Sequence, residues 1–307
     1  MSSAPGTGAS PSAAEFAAAA AAAVGGLAAV QPFGVVAVSR MTDRSWTGLA
    51  ARAAGRPSPV GRRVPVARTA CHHLLVDRGP VVVTDLHGHP DRALRSVAAQ
   101  HGVAGYVGAA LRGPDGQRLG SVCGYSGDRY DGAGALDLLP LLAAAADDLG
   151  RRLGRALAAA ADERRAAYEL ARATSVDATG LPDRRGWAAL LQEEDLRGRQ
   201  LGEELAVVLV DVGLVRTVRG VRRAGQVLGE ALGEDLVCRV GHRRFGVVVG
   251  ETAGGHPATV ATAAQEALRA AGYPATSGWA ARRPGEGAAA TWWRAEDALV
   301  TVRAGVG

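Results

Sequence analysis

Lysine, asparagine and isoleucine are absent from the 307 residues, so all 35 basic residues are arginine. Each absence excludes chemistry. Without lysine there is no Walker-A phosphate loop, no Schiff-base nucleophile and no kinase of lysine-dependent design. Without asparagine there is no N-glycosylation acceptor. Aromatic residues make up only 4% of the chain, so alanine, leucine and valine must fill its cores. The three cysteines, Cys71, Cys123 and Cys238, are odd in number and far apart. They argue against both a disulfide framework and a structural zinc site, and no metal site is expected. No Gly-x-Ser-x-Gly or His-Glu-x-x-His pattern occurs either.

What is present bounds the fold. Hydrophobic residues at 48% and charged residues at 21% permit buried cores and exclude wholesale disorder, and the length suits two domains. A net charge of +5 is too balanced to single out nucleic acid as a partner. The most apolar stretch, residues 16–30, is alanine-rich and broken by Gly25-Gly26, with Glu15 abutting it and no basic residue before it. Neither a membrane span nor a signal peptide is expected, which points to the cytoplasm.

Along the chain, residues 1–13 read as a disordered leader, with an alanine-rich helix running to about residue 29. Strands are expected at 33–39 and 46–50, then a basic, proline-bearing loop over 61–73 ending in a short helix around Ala70. Residues 80–85 read as the clearest buried strand of this half, residues 93–101 as a short helix, and 104–111 with 119–125 as a hairpin turning at Pro114-Asp115-Gly116. Residues 134–172 form a helix almost free of breakers. Its stripe of Leu138, Leu142, Leu149, Leu153 and Leu157 predicts a homodimer through the helix around 138–170, with a buried C-terminal helix as the alternative. Beyond a turn at 177–185, helices at 186–199, 215–232, 258–271 and 291–302 alternate with strands at 204–211, 236–240, 245–250 and 275–280. This second half is therefore an α/β domain.

Two families resemble these halves. Cys71-His72-His73, Pro80-Val-Val-Val-Thr-Asp85, His89-Pro90-Asp91 and the hairpin from Tyr106 to Cys123 resemble the GAF domain. That resemblance implies a cytoplasmic ligand-sensing module, an antiparallel sheet with flanking helices, over residues 14–155. A connecting helix at 156–172 follows. Thr179-Gly-Leu-Pro-Asp-Arg-Arg185, the strand ending at Asp211 and Arg294-Ala-Glu-Asp-Ala-Leu299 resemble the GGDEF domain, the diguanylate cyclase fold, over 173–307. The family condenses two GTP into cyclic di-GMP across a dimer, with magnesium held by carboxylates on the first strand and the signature hairpin.

The signature is broken. Gly241, His242, Arg243, Arg244 and Phe245 stand where the family has Gly-Gly-Asp-Glu-Phe. Asp211 remains as a residual metal-site position, but a guanidinium cannot ligate a metal and repels a divalent cation. Asp211 is expected to pair with Arg243 or Arg244 instead. The family's base-reading asparagine and phosphate-contacting lysine cannot exist here. The stretch from Asp211 to Gly241 is shorter than usual, although Gly225-Gln-Val-Leu-Gly-Glu230 faintly resembles a family element. The product-inhibition arginine, three residues before Asp235, is Leu232.

The resemblance thus implies a sensor coupled to a catalytically silent output domain that acts by contact with a GGDEF or other signalling protein. Two alternatives stand beside it: a divergent active cyclase, and a nucleotide receptor using Arg216, Arg219, Arg243 and Arg244. Arg216, Arg219 and Arg223 share a helical face, which also reads as a simple solvated surface. Cys71, His72 and Cys123 are the candidate ligand or redox residues of the first half. Neighbours on a helix point to different faces, however, so a packing cysteine with exposed histidines is the plainer reading. Trp279, Trp292 and Trp293 are expected to pack the last helix. No cofactor is implied.

Overall fold

The computed structural model describes residues 10–76, 79–130, 134, 136–213, 215, 217–232, 236–250 and 256–305. Nearly all of the expected leader lies outside them, and Pro11 and Ser12 already belong to a helix. The chain divides into two units, one of residues 1–160 with 200–202, the other of 161–199 with 203–307.

The first unit begins with α1, Pro11–Val30, whose N-terminal amides are capped by Ser10 Oγ accepting from the Ala13 amide at 3.4 Å. Proline follows at the first helical position, where its missing N–H costs nothing. Phe16, Ala20, Val24 and Leu27 recur at four, four and three residues and are buried on one face. By length and hydropathy (1.7) α1 resembles a membrane span, yet these residues sit in the core of the unit.

β1 (Val35–Met41), β2 (Ser45–Ala53) and β3 (Arg63–Pro65) lead through a single 3-10 turn to α2 (Ala70–Leu74). β4 (Val81–Val83), α3 (Arg92–His101), β5 (Gly105–Arg112) and β6 (Arg118–Ser126) complete a six-stranded antiparallel sheet ordered β3-β2-β1-β6-β5-β4. Period-two alternation sorts the side chains into two cores. Val36, Val38, Val107, Ala109 and Val122 meet α1, whereas Ala37, Met41, Tyr106, Ala110 and Cys123 meet α2 and α3. Two readings are corrected. Residues 63–65 pair with β2 as a strand inside the supposed loop, and the strand expected to be buried over 80–85 is β4, a three-residue, half-buried edge strand. Its valines looked buried because a short apolar run does not distinguish a sheet's edge from its middle.

α4 (Leu139–Thr174) is 36 residues long and contributes to both units. The expected stripe is real, but Leu138, Leu142, Leu149 and Leu153 lie in the first unit's core together with α1. They are only 0–1% exposed, so these leucines are spent inside the chain, while Leu141 and Leu170 stay exposed.

In the second unit α5 (Arg184–Leu201), β7 (Leu205–Val212), α6 (Val218–Leu232), β8 (Leu236–Arg239), β9 (Arg244–Gly250), α7 (Pro257–Ala270), β10 (Ala275–Ala281) and α8 (Ala288–Gly305) follow in order. The sheet runs β10-β7-β9-β8, antiparallel throughout. β7 is buried on both faces, which explains its uninterrupted apolar run. Val208, Val210 and Val212 pack on α6 and α7. Leu205, Val207 and Leu209 face Trp187 of α5, Ala295 and Leu299 of α8, and Ala171 of α4. Both units are mixed α/β folds.

Candidate functional site

Asp211 occupies the next inward position after Leu205, Val207 and Leu209, so alternation turns it to the face covered by α5 and α8. Its cross-strand neighbour in β9 is Arg244. Arg244 Nε lies 3.6 Å from Asp211 Oδ2, and Arg244 Nη1 donates to Glu296 Oε1 on α8 at 2.6 Å. The guanidinium thus stands between two carboxylates. Asp211 is 7% exposed and therefore needs a compensating cation. Arg244 supplies it, as the sequence led us to expect.

The rest of the signature is placed by the hairpin. Phe245 is fully buried in the opposite core, whereas Gly241 and His242 are exposed in the turn. The Val212 amide donates to Arg243 O at 2.9 Å, while the Arg243 side chain has no ion-pair partner among the described residues. The turn is braced by Arg239, which sequence reasoning missed. Its Nε and Nη2 donate to Gly241 O and His242 O, and its Nη1 donates to Asp177 Oδ2 at 2.6 Å. Asp177 opens the turn that precedes α5. Its carboxylate accepts from the Thr179 amide and hydroxyl, and Gly180 adopts a φ of +83° that favours glycine. Asp183 then caps α5, accepting from the Arg185 amide at 2.7 Å.

A magnesium site does not fit here. Magnesium requires several oxygen ligands in near-octahedral array. Among the described residues no group of three His, Cys, Asp or Glu side chains converges anywhere, and a guanidinium separates Asp211 from Glu296. Glu296 was visible in the sequence, inside the last-helix motif, but only α8 docking brings it to β9.

Arg219 lies elsewhere. It is exposed beside Arg222 and Arg223 in a surface cleft that includes Tyr273 and neither Arg243 nor Arg244. The arginine face therefore does not extend to the hairpin. Arg222 donates to Ala178 O, and Arg223 pairs with Glu230 at 3.6 Å. Arg216 and Asp235 lie outside the described residues.

The first unit brings Cys71 and Cys123 together and leaves His72 apart. Both thiols are fully buried. Tyr106 Oη and Tyr125 Oη each lie 3.5 Å from Cys71 Sγ. Hydrogen bonding from the Cys123 thiol, opposed by burial and aided by Ser121 and the two tyrosines, lowers the Cys71 pKa to about 6, and the Cys123 pKa is correspondingly raised. His72 turns instead to a surface cleft with His73, Arg112 and Arg118. Both histidines are half-buried, not exposed, and their rings meet edge to face at 5.1 Å.

A second cavity, of about 510 Å³, opens on the α3 side of the same sheet. Trp46, Tyr125, Val35, Val64 and Val103 form its apolar part, and Arg56, Arg62, Arg68 and His101 its basic part. Tyr125 links it to the sequence-derived residues, through its contacts with Cys71 and Cys123.

No family model matches the sequence, and no curated protein matches it. Solved structures of both GGDEF and GAF domains are similar to the chain. The GGDEF domain of DgcB from Caulobacter crescentus in complex with c-di-GMP is 20% identical, over 43% of this chain and 91% of that one, with a TM-score of 0.39. The phycoerythrobilin-bound GAF domain of a cyanobacterial phytochrome is 15% identical, over 48% and 89%, at 0.41. Free methionine-R-sulfoxide reductase from Neisseria meningitidis is 21% identical, over 47% and 81%, at 0.36.

Proposed function

We propose that the chain is a cytoplasmic signalling protein in which a GAF-like sensor unit regulates a catalytically silent GGDEF-like unit. The silent unit acts by contact with another signalling protein, such as an active cyclase, rather than by making cyclic di-GMP. One observation carries this reading: Arg244, standing where the family has a hairpin carboxylate, pairs with Asp211, the residual metal-site position, so the one carboxylate left for magnesium is neutralised from within. The cavity beside Trp46 and Tyr125 supports a small-molecule input. α4 contributes side chains to both cores and offers a route for the signal. A homodimer would use its exposed side, where Leu141 and Leu170 remain free of the cores.

The purified chain, incubated with GTP and magnesium or manganese, is expected to yield no cyclic di-GMP. Product formed at a rate that scales with protein would replace this reading with that of a divergent cyclase. The receptor reading is favoured by a different observation, Arg243 at the hairpin with no ion-pair partner among the described residues. It requires that GTP or cyclic di-GMP raise the melting temperature and that Arg243→Ala abolish the shift.

A further inference from the structure

The cavity in the first unit carries a charge imbalance that its own side chains do not resolve. Among the described residues its lining holds Arg56, Arg62, Arg68 and His101 and no carboxylate. Arg56 is fixed in place, Nη1 donating to His101 O and Nη2 to Gly102 O, both at 2.7 Å. It thereby covers the carbonyl end of α3, where a cation complements the helix dipole. Arg62 and Arg68 are exposed at the rim and have no ion-pair partner among the described residues. Their proximity is felt by His101, whose pKa is lowered first by burial and then by the charges of Arg62 and Arg56. Like charges held around one opening repel each other until something negative enters.

Deeper in, the lining changes character. Trp46 is 7% exposed, and its indole Nε1 is buried without a hydrogen-bond partner. Tyr125 stands beside it, half-buried, with its hydroxyl turned to Cys71. An unsatisfied buried donor is costly, and a ligand acceptor would recover that cost. Flat aromatic walls favour a flat apolar body. At about 510 Å³ the space suits a small molecule, not a peptide.

We propose that this cavity binds a small organic anion, a carboxylate or phosphate on a planar, mainly apolar body that carries a hydrogen-bond acceptor. The acid group sits among Arg62, Arg68 and His101, and the body lies against Trp46 and Tyr125. This rests on the sensor reading above and gives it a ligand class. Arg62 and Arg68 supply charge-assisted donors at the rim, Arg56 holds the wall, and Trp46 Nε1 donates to an acceptor on the body.

The test uses the full chain with four probes: phenyl phosphate, benzoate, inorganic phosphate and neutral benzyl alcohol. Trp46 is the first unit's one tryptophan of five in the chain, so quenching that disappears in Trp46→Phe reports this cavity. Phenyl phosphate or benzoate is expected to quench Trp46, and the stronger of the two names the acid group. The better anion should bind at least tenfold more tightly than benzyl alcohol, and the paired substitution Arg62→Ala, Arg68→Ala should weaken it roughly tenfold or more. Inorganic phosphate, lacking the body, should bind more weakly still. Circular dichroism of the variants checks that they fold. Equal binding of benzyl alcohol and the anions, or anion binding unchanged by the double substitution, overturns the anion and leaves a sensor for neutral ligands. Absence of Trp46 quenching by any probe up to 20-fold above ~1 mM overturns the proposal and removes the support that the cavity gives to the sensor reading.

Discussion

Replacing Arg164 by methionine should loosen the second unit, for a reason that can be worked through its contacts. Arg164, in the second half of α4, donates from Nε and Nη2 to the two oxygens of Glu194 on α5 at 2.7 and 2.9 Å. Its Nη2 also reaches Glu203 at 3.0 Å. The arginine side chain is 11% exposed and the two glutamates 2% and 3%. Burial by itself lowers the guanidinium's pKa, but the bonds and fields of Glu194 and Glu203 outweigh it and raise the value above that of a free arginine. Breaking such a cluster from one side leaves buried carboxylate charge, which costs ~3–5 kcal/mol. Two features reduce this. Arg197 Nη1 remains 2.9 Å from Glu194 Oε1, and Arg164 Nη1 is itself buried without a partner. We therefore expect ~2–4 kcal/mol, toward the lower end. For a unit of this size that is a fall in Tm of roughly 5–15 °C. In a Trp46→Phe background the remaining tryptophans, Trp187, Trp279, Trp292 and Trp293, all belong to the second unit, so fluorescence-monitored unfolding isolates it. Arg164→Lys keeps the charge, loses the fork and should fall between. A wild-type midpoint in Arg164→Met would refute the reasoning, because it would mean the buried carboxylates lose nothing when their cation is removed.

Other consequences are equally direct. Gly278→Ala in β10 would place a Cβ 2.2 Å from the Leu299 amide of α8 and should destabilise the second unit by several kcal/mol, more than ~3. Gly229→Ala in α6, with nothing within 4 Å, should stabilise it by ~0.5–1 kcal/mol, both read by urea unfolding. The Arg294 guanidinium on Glu286, opposed by burial, holds that carboxyl at about 2 against an ordinary 4.5. The unfolded chain therefore takes up the proton first, and this stabilisation, full above pH 4.5, fades as pH falls toward 2. In Arg294→Gln that part of the acid slope should disappear, while an unchanged slope would count against the pair. All three thiols are fully buried, so a disulfide reagent at pH 7 should label none in the native chain and three in guanidinium. Rapid native labelling of Cys71, favoured chemically by its pKa of about 6, would show that the first unit opens readily.

The sequence by itself determined most elements and the state of the signature. Strand alternation, helical stripes and turn residues are local properties, and they placed β1, β5, β6, β7, α3 and α7 within a few residues. Cation for carboxylate at Arg243 and Arg244 needs no coordinates to exclude magnesium ligation. Docking decided the rest. That Arg244 takes Glu296 as well as Asp211 follows from α8 packing over β10 and β7, which brings together residues 52 positions apart. That the leucines of α4 serve an internal core follows from α1 folding back onto them from the far end of the first unit. The basic cavity gathers Arg56, Arg62, Arg68 and His101 from separate loops and a helix end, and no spacing along the chain announces such a cluster. Periodicity tells which side of an element is apolar, but the partner that covers it is chosen only when distant elements meet.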